Sequence, residues 1–345
     1  MKHHHKSRIT SFIKNPLLFV TTLAIISLGA SCNIKSSKQD DEKSKKSPSR
    51  VEAPDFNADS AYHYIQKQVD FGPRVPNTPE HEACADWLAA KLDTFGAEVI
   101  VQEGTVEAFD ETKLNIKNII GQYKPGKNDR ILLFAHWDTR PFADRDPDPE
   151  KRDQPIDGAN DGGSGVGVLL EIARHLENNP VDVGIDIIFF DAEDYGTPEH
   201  MDVEYKADTW CLGSQYWGEN PHKKGYHARY GILLDMVGRK NALFYQERAS
   251  LDMAPEVVEY IWETADMLGH GNFFTFRTGG HITDDHIYVN RHTGIPAVNI
   301  IEHEPGSGTS FGEYWHTHDD NMEIIDTKTL NAVGETVMEV IYNPL

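Results

Sequence analysis

The sequence has few cysteines, a deficit of basic residues and no long apolar run. Only 3 of its 345 residues are Cys, too few for the dense disulfide framework of a small secreted domain. Lys and Arg number 33 against 55 Asp and Glu, and the resulting net charge of -22 argues against nucleic acid as the main partner. A mean hydropathy of -0.52 excludes a protein with many membrane spans. The 39% of hydrophobic residues is nevertheless enough for a packed core.

Residues 1–31 have the composition of a secretion signal. A basic segment without acidic residues precedes an apolar stretch at 17–28, which is too short to span a membrane comfortably. The Leu-Gly-Ala-Ser-Cys segment that follows resembles a bacterial lipobox, in which the Cys becomes the lipidated first residue. We therefore predict an exported protein of the bacterial periplasm or outer membrane, anchored by lipid at Cys32. Ordinary cleavage after Ala30 is the alternative.

Residues 32–54 are predicted to form a flexible tether, because Ser, Lys and Pro dominate them and no apolar period is visible. The first 50 residues hold ten Lys or Arg and three Asp or Glu, so the acidic excess lies in the part that follows. Cys84 and Cys211 also lie there. In an exported protein they could form one disulfide, but Cys84 falls on the apolar face of a predicted helix and could equally be a buried free thiol.

Residues 55–345 alternate between strand and helix patterns. Thr78 and Pro79 begin one helix as cap and first residue, and Gly96 ends it. Further helical patterns lie at 163–178, 255–268 and 327–342. Short apolar runs predict strands at 99–101, 114–120, 131–134, 185–190, 231–234 and 296–301. We predict a single α/β domain with a mostly parallel, mixed central sheet covered by helices on both faces.

Polar residues follow these apolar runs, at the edge where such sheets bind ligands. Asp161, Asp194 and His316 could supply three ligands to a zinc ion, since zinc takes carboxylate oxygen and imidazole nitrogen and keeps an open position in catalytic sites. Glu193 precedes Asp194, and neighbouring side chains on an extended backbone point to opposite sides. Glu193 would therefore be free to move protons beside the metal.

The strand-end motifs resemble those of a known family in their identity and order. His-Trp-Asp at 136–138, Gly-Ala-Asn-Asp-Gly-Gly-Ser-Gly at 158–165 and Phe-Phe-Asp-Ala-Glu-Asp at 189–194 are similar to the zinc aminopeptidase-like fold. Asp-Asp-His-Ile at 284–287 and Trp-His-Thr at 315–317 resemble, more narrowly, the glutaminyl cyclases. The resemblance covers roughly residues 57–342.

The resemblance implies one zinc ion, bound by Asp161, Asp194 and His316. It implies that Glu193 is the general acid and base. Many relatives have Glu at the position of Asp194. Because Asp is one methylene shorter than Glu, the backbone must lie nearer the metal or the coordination must change. The resemblance thus predicts the site but leaves its metal affinity open.

Other roles follow from the same resemblance. Asp235 and Asp285 would form a buried acidic pair beside Glu193, and Trp315 would form a wall of the substrate pocket. Trp210 is a second aromatic candidate for substrate contact. A weak second metal site at His136 and Asp235 stays open, since the zinc aminopeptidases use these positions.

The implied activity is that of a glutaminyl-peptide cyclotransferase, an acyltransferase that converts the N-terminal Gln of a peptide or protein to pyroglutamate and releases ammonia. A two-zinc aminopeptidase of the same fold is the second hypothesis, and a non-catalytic binding lipoprotein is the third. We expect a monomer whose partner is a peptide with N-terminal Gln, with no nucleic acid bound and with membrane contact only through the lipid anchor.

Overall fold

The computed structural model describes residues 50–204, 206–304 and 306–345, and the predicted signal and most of the predicted tether lie outside them. Residues from Arg50 onward form one compact unit. Its helices are α1 Ala58–Val69, α2 Pro79–Thr94, α3 Gly163–Asn178, α4 Leu212–Glu219, α5 Arg248–Met253, α6 Pro255–Met267, α7 Asp285–Thr293 and α8 Thr327–Tyr342. Its strands are β1 Glu98–Glu107, β2 Lys113–Tyr123, β3 Arg130–His136, β4 Gly184–Phe190, β5 Gly231–Asp235, β6 Phe244–Gln246, β7 Phe274–Thr278 and β8 Ala297–Ile301.

A six-stranded mixed sheet forms the centre of the fold, in the order β1-β2-β4-β3-β5-β8. The four strands β4, β3, β5 and β8 pair in parallel, whereas β1 and β2 add an antiparallel edge. All residues of β3, β4 and β5 are buried, as expected for parallel strands covered on both faces. Strands β6 and β7 form a separate two-stranded sheet. The predicted mixed α/β architecture is confirmed.

Alternate residues of the central strands supply two cores, one on each face of the sheet. Ile131 and Leu133 of β3 belong to the larger core, which also holds buried residues of α2, α3, α6 and α8. Leu132 and Phe134 belong to a second core with Trp217 of α4 and Val289 of α7. Helices therefore cover both faces, because a strand with apolar side chains pointing both ways needs a partner on each side.

Local signals set several helix ends as the sequence predicts. The hydroxyl of Thr78 caps α2 by accepting from the backbone N–H of His81 at 3.3 Å, and Pro79 is the first residue of the helix. Helices α3 and α8 have the predicted bounds. The shorter α4 and α7 had no recognisable pattern, since eight or nine residues give too few turns for an apolar stripe to stand out.

The start of the described chain lies against α8. Val51 exchanges two hydrogen bonds with the side chain of Asn343, at 2.7 and 2.9 Å, and Arg50 pairs with Glu339 at 2.6 Å. The last residues of the predicted tether thus belong to the compact unit. Among the described residues, none of the helices combines the length and the apolar character that a membrane span requires.

Both cysteines of the compact unit are buried free thiols. Neither Cys84 nor Cys211 forms a disulfide. Cys84 lies on the buried face of α2, and burial raises the pKa of its thiol to about 12. Of the two possibilities that the sequence left open, the free thiol is therefore the one observed.

Candidate metal and catalytic site

Five residues from separate loops and strand ends meet at the carboxyl edge of the parallel strands. Oxygen and nitrogen atoms of Asp161, Asp194 and His316 all lie within 4.8 Å of one another, and those of His136, Asp161 and Asp235 do the same. All five residues are buried. The two clusters share Asp161, which precedes α3. The structure thus brings together the three predicted metal ligands and the predicted second site.

The cluster of Asp161, Asp194 and His316 has the donor set of a zinc site. Nε2 of His316 lies 3.5 Å from an oxygen of Asp194 and 3.9 Å from one of Asp161. The second oxygen of Asp194 is buried without a hydrogen-bond partner. Burial and the neighbouring charge of Asp161 raise the pKa of Asp194. An orphaned carboxylate oxygen facing another carboxylate and an imidazole fits a bound cation.

His136 holds the other cluster together. Its Nε2 lies 3.0 Å from Asp161 and 3.2 Å from Asp235. Burial lowers the pKa of His136, but hydrogen bonds with Asp138, Asp161 and Asp235 outweigh burial and raise it well above its ordinary value. The imidazole of His136 therefore lies between two carboxylates of the cluster.

Glycines and side-chain acceptors fix the backbone of the ligand loops. Gly162 has a φ of +87°, and a Cβ there would lie 2.4 Å from the carbonyl oxygen of Asp138. The carboxylate of Asp138 accepts from the backbone N–H groups of Glu193 at 3.0 Å and Asp194 at 3.2 Å. Asp320 accepts from the N–H of Asp161 at 3.0 Å. The position of each loop is thus set by contacts from a different part of the chain.

Glu193 lies in an acidic, desolvated environment. The thiol of Cys211 donates to its carboxylate at 3.0 Å, and Asp284 belongs to the same cluster, with atoms within 4.8 Å. Burial and the negative charges of Asp284 and Asp194 raise the pKa of Glu193 well above its ordinary value. A carboxyl group whose pKa is raised in this way is suited to take up a proton and to return it.

Of the two adjacent acids at the start of α7, Asp284 lines the cavity described below and the predicted Asp285 does not. Burial and the charge of Asp235 raise the pKa of Asp284 to about 7. Asp285 is buried outside that cavity, as the first residue of α7. Adjacent residues project in different directions, so only one of the two can face the site. The motif located the pair but could not say which member points inward.

A small cavity of about 70 Å³ opens beside the metal cluster. The Trp315 ring stacks on His316, with centroids 3.7 Å apart, and Trp210 lies nearly parallel to His316 with centroids 6.1 Å apart. Both predicted aromatic residues therefore form walls of this cavity. The remaining lining residues are Asp161, Glu193, Asp194, Asp235, Met236, Ile282, Thr283, Asp284, Ile301, Phe311 and His316.

Two buried charged residues of the site have no sequence signal. Arg140 donates to Asp144 at 2.7 and 2.9 Å and to the backbone oxygen of Asp194 at 2.9 Å. Both lie in an irregular loop after β3, where no period or motif distinguishes them from ordinary loop charges. Only their burial reveals them.

An α/β sheet with buried carboxylates and imidazoles clustered at the carboxyl ends of its parallel strands defines the class of metal-dependent, exopeptidase-like proteins. Comparison with known families agrees: residues 118–341 match the model of peptidase family M28. The chain belongs to peptidase family M28.

Solved structures and a sequence relative show which members of the family this chain resembles. A glutaminyl cyclase from Tannerella forsythia is 56% identical, with a TM-score of 0.83 over 85% of this chain and 100% of that one. A zinc-dependent exopeptidase from Parabacteroides distasonis is 57% identical, with a TM-score of 0.84 over the same shares. An aminopeptidase from Bacillus subtilis is 28% identical over 78% of this chain, which spans 54% of that protein's length. The fold supports zinc as the metal of this chain.

Proposed function

We propose that this chain is a glutaminyl-peptide cyclotransferase, which converts the N-terminal Gln of a peptide or protein to pyroglutamate and releases ammonia. The observation that carries the proposal is the small cavity in which Glu193 lies beside Asp161, Asp194 and His316, between two Trp rings. The similarity to the Tannerella forsythia glutaminyl cyclase supports it.

We assign one zinc ion to Asp161, Asp194 and His316. When bound, zinc supplies Lewis acidity toward the oxygen of the γ-amide. The three residues offer two carboxylates and one imidazole, which leaves a coordination position for substrate. The enclosing Trp210 and Trp315 rings hold the Gln side chain and keep water away from it.

Glu193 moves the protons of the reaction. The α-amine of Gln attacks its own γ-amide carbon, so a C–N bond forms within the ring while the bond to the amide nitrogen breaks. Glu193 takes a proton from the attacking amine and delivers it to the leaving nitrogen, which departs as ammonia. The neighbouring Asp284 and Asp194 stabilise the protonated state of Glu193, since crowded carboxyl groups resist ionising together, and Asp235 lines the same cavity.

A two-metal aminopeptidase is the second candidate, and one observation favours it. His136, Asp161 and Asp235 form a second cluster able to hold a cation, with Asp161 common to both clusters. A second metal held by these residues would supply chemistry suited to the activation of a hydrolytic water. The cyclisation needs no such water, and one metal suffices for it.

Incubation with a Gln-initiated peptide distinguishes the two activities. We expect ammonia and a product lighter by one ammonia, and no reaction with the same peptide acetylated at its α-amine. A freed amino acid without ammonia would instead identify the peptidase.

Glu193→Gln should lower kcat about 10³-fold with zinc content unchanged, since general acid–base catalysis contributes roughly 10²–10⁴-fold.

We further propose that the protein is exported, lipid-anchored at Cys32 and monomeric. The basic and apolar order of residues 1–31 and the lipobox-like sequence support export and lipidation. Cys32→Ala should release the protein from the membrane fraction and abolish labelling with a radioactive fatty acid. A mature N-terminus at Ser31 would indicate ordinary cleavage after Ala30. For the oligomeric state, sedimentation at twice the chain mass would contradict the monomer.

A further inference from the structure

Arg140 is a buried cation that contacts the metal cluster without belonging to it. Its side chain is fully buried, and its Nε and Nη2 form a two-pronged pair with Asp144 at 2.7 and 2.9 Å. Nη1 donates to the backbone oxygen of Asp194 at 2.9 Å and to its carboxylate at 3.3 Å. The same guanidinium thus holds the main chain and the side chain of one metal-ligand residue.

Asp144 contacts the other side of the cluster. One of its oxygens lies 3.1 Å from Nδ1 of His316, so that Nε2 of the ring is left to face Asp161 and Asp194. The second oxygen also accepts from the backbone N–H of Glu199 at 2.8 Å. A carboxylate at Nδ1 fixes both the rotation of a histidine and the tautomer whose Nε2 can bind a metal.

The aromatic wall depends on the same guanidinium. Arg140 lies over the Trp210 ring, 4.6 Å from its centroid. A Cβ at Gly196 would lie 1.9 Å from that ring, so the loop that follows Asp194 leaves room for Trp210 only because residue 196 is glycine. Arg140 therefore touches Asp194 of the cluster together with Asp144 and Trp210, which both lie close to His316.

We propose that Arg140 and Asp144 act as one positioning unit of the metal site, in which Asp144 orients the His316 ring and Arg140 orients Asp194. The unit sets the zinc affinity by holding both ligands in place before the metal arrives. It also explains how the short Asp194 can serve as a ligand, since Arg140 fixes the backbone of that residue. The inference rests on the zinc assignment of the proposed function.

The test measures the dissociation constant of zinc by competition with a chromophoric chelator, and the thermal unfolding of the metal-free protein. Asp144→Asn and Arg140→Lys should each raise the zinc dissociation constant about 10- to 100-fold, the usual loss when the outer partner of a metal ligand is changed. Asp186→Asn is the matched control. Asp186 pairs with Arg130 and is equally buried, but it lies at the opposite end of β4. It should lower the unfolding temperature and leave the zinc constant within about twofold.

The double variant tests whether the two residues work as a unit. Zinc binding by Asp144→Asn with Arg140→Lys should be weakened about as much as by the stronger single change, because partners in one network are not additive. If the increases in the zinc dissociation constant multiply in the double variant, the two residues act independently and do not form a single unit. A zinc constant within twofold of the unchanged protein in both single variants, with only lower stability, would overturn the positioning role.

Asp194→Ala separates these failures from a failure of the proposed site. If the unchanged protein binds zinc and Asp194→Ala does not, the zinc assignment holds, and the Arg140 and Asp144 variants then decide the inference alone. If Asp194→Ala binds zinc as tightly as the unchanged protein, the zinc assignment is wrong, and the inference falls with it.

Discussion

The carboxyl groups of this site differ in pKa because each has different neighbours. Burial raises the pKa of Asp235 to about 6 and that of Asp284 to about 7. At Asp161 the effect of burial is outweighed by the hydrogen bond with His136, which lowers the pKa of that carboxyl. Acids of one residue type therefore differ in proton affinity, and contacts at the scale of single side chains set that difference.

Asp284 and Asp285 provide a residue-scale prediction. Asp284→Asn should lower kcat about 100-fold, because it removes a proton-holding carboxyl that lines the cavity beside Glu193. Asp285→Asn should change kcat less than about threefold, since the Asp285 carboxyl is buried outside the cavity. The measurement is the rate of ammonia release at saturating peptide. A larger loss for Asp285→Asn would restore the motif-based prediction of Asp285 as the acidic partner.

At the scale of elements, Glu247 ties α5 to the segment that carries Asp284. Its carboxylate accepts from the N–H groups of Ala249 at 2.8 Å and Ser250 at 2.6 Å, which begin α5, and from the N–H of Ile282 at 3.0 Å. His286 of α7 lies 3.3 Å away. Burial opposes the ionised form, but His286 and these N–H groups hold the pKa of Glu247 at about 2.

This arrangement predicts a pH-dependent stability. The folded pKa of Glu247 is below its ordinary value of 4.5, so its contribution is complete above about pH 4.5 and is lost as the pH falls toward 2. Glu247→Gln should lower the free energy of unfolding by about 3 kcal/mol at pH 7, because each tenfold difference in proton affinity between the folded and unfolded chains corresponds to about 1.4 kcal/mol. The difference from the unchanged protein should shrink at pH 3.

Urea unfolding of the metal-free protein at both pH values measures this difference. Glu107→Gln is the control, because Glu107 lies on the exposed edge strand β1 and pairs only with exposed Lys113. It should leave the free energy of unfolding nearly unchanged at either pH. An equal loss for Glu247→Gln at pH 7 and pH 3 would contradict the role of the ionised carboxylate.

At the scale of the whole molecule, one cation would relieve the repulsion of several buried acids. Asp161 belongs to both clusters, and these hold His136, Asp194, Asp235 and His316 from segments far apart in sequence. A ligand that binds only the folded state stabilises it by mass action. Metal binding is therefore thermodynamically coupled to the folding that brings these segments together.

Zinc removal should consequently lower the unfolding temperature. Free zinc at 100 times its dissociation constant contributes about 2.7 kcal/mol, and at about 2 °C per kcal/mol for a chain of this size the loss is about 5 °C. Calorimetry with and without a chelator measures the shift, and Asp194→Ala should show none. An equal response to the chelator in Asp194→Ala would place the stabilising metal elsewhere.

Sequence patterns alone were enough to predict the layers of the fold and the ends of its clearest elements. Mostly apolar runs in β3, β4 and β5 predicted strands buried on both faces, and the 16-residue stripes of α3 and α8 gave their bounds without tertiary information. Because parallel strands end at one edge of the sheet, the acids and histidines that follow them are expected to lie close together. The sequence therefore predicted Asp161, Asp194 and His316 as one cluster.

The direction in which individual side chains face, in contrast, required the tertiary structure. Packing between loops turned Asp284 rather than Asp285 toward the cavity, left Cys84 and Cys211 unpaired, and buried Arg140 behind the metal cluster. Each of these outcomes depends on contacts between segments that are distant in the chain. Local periodicity carries no information on such contacts, because the direction of a side chain in an irregular loop is set by what packs against it.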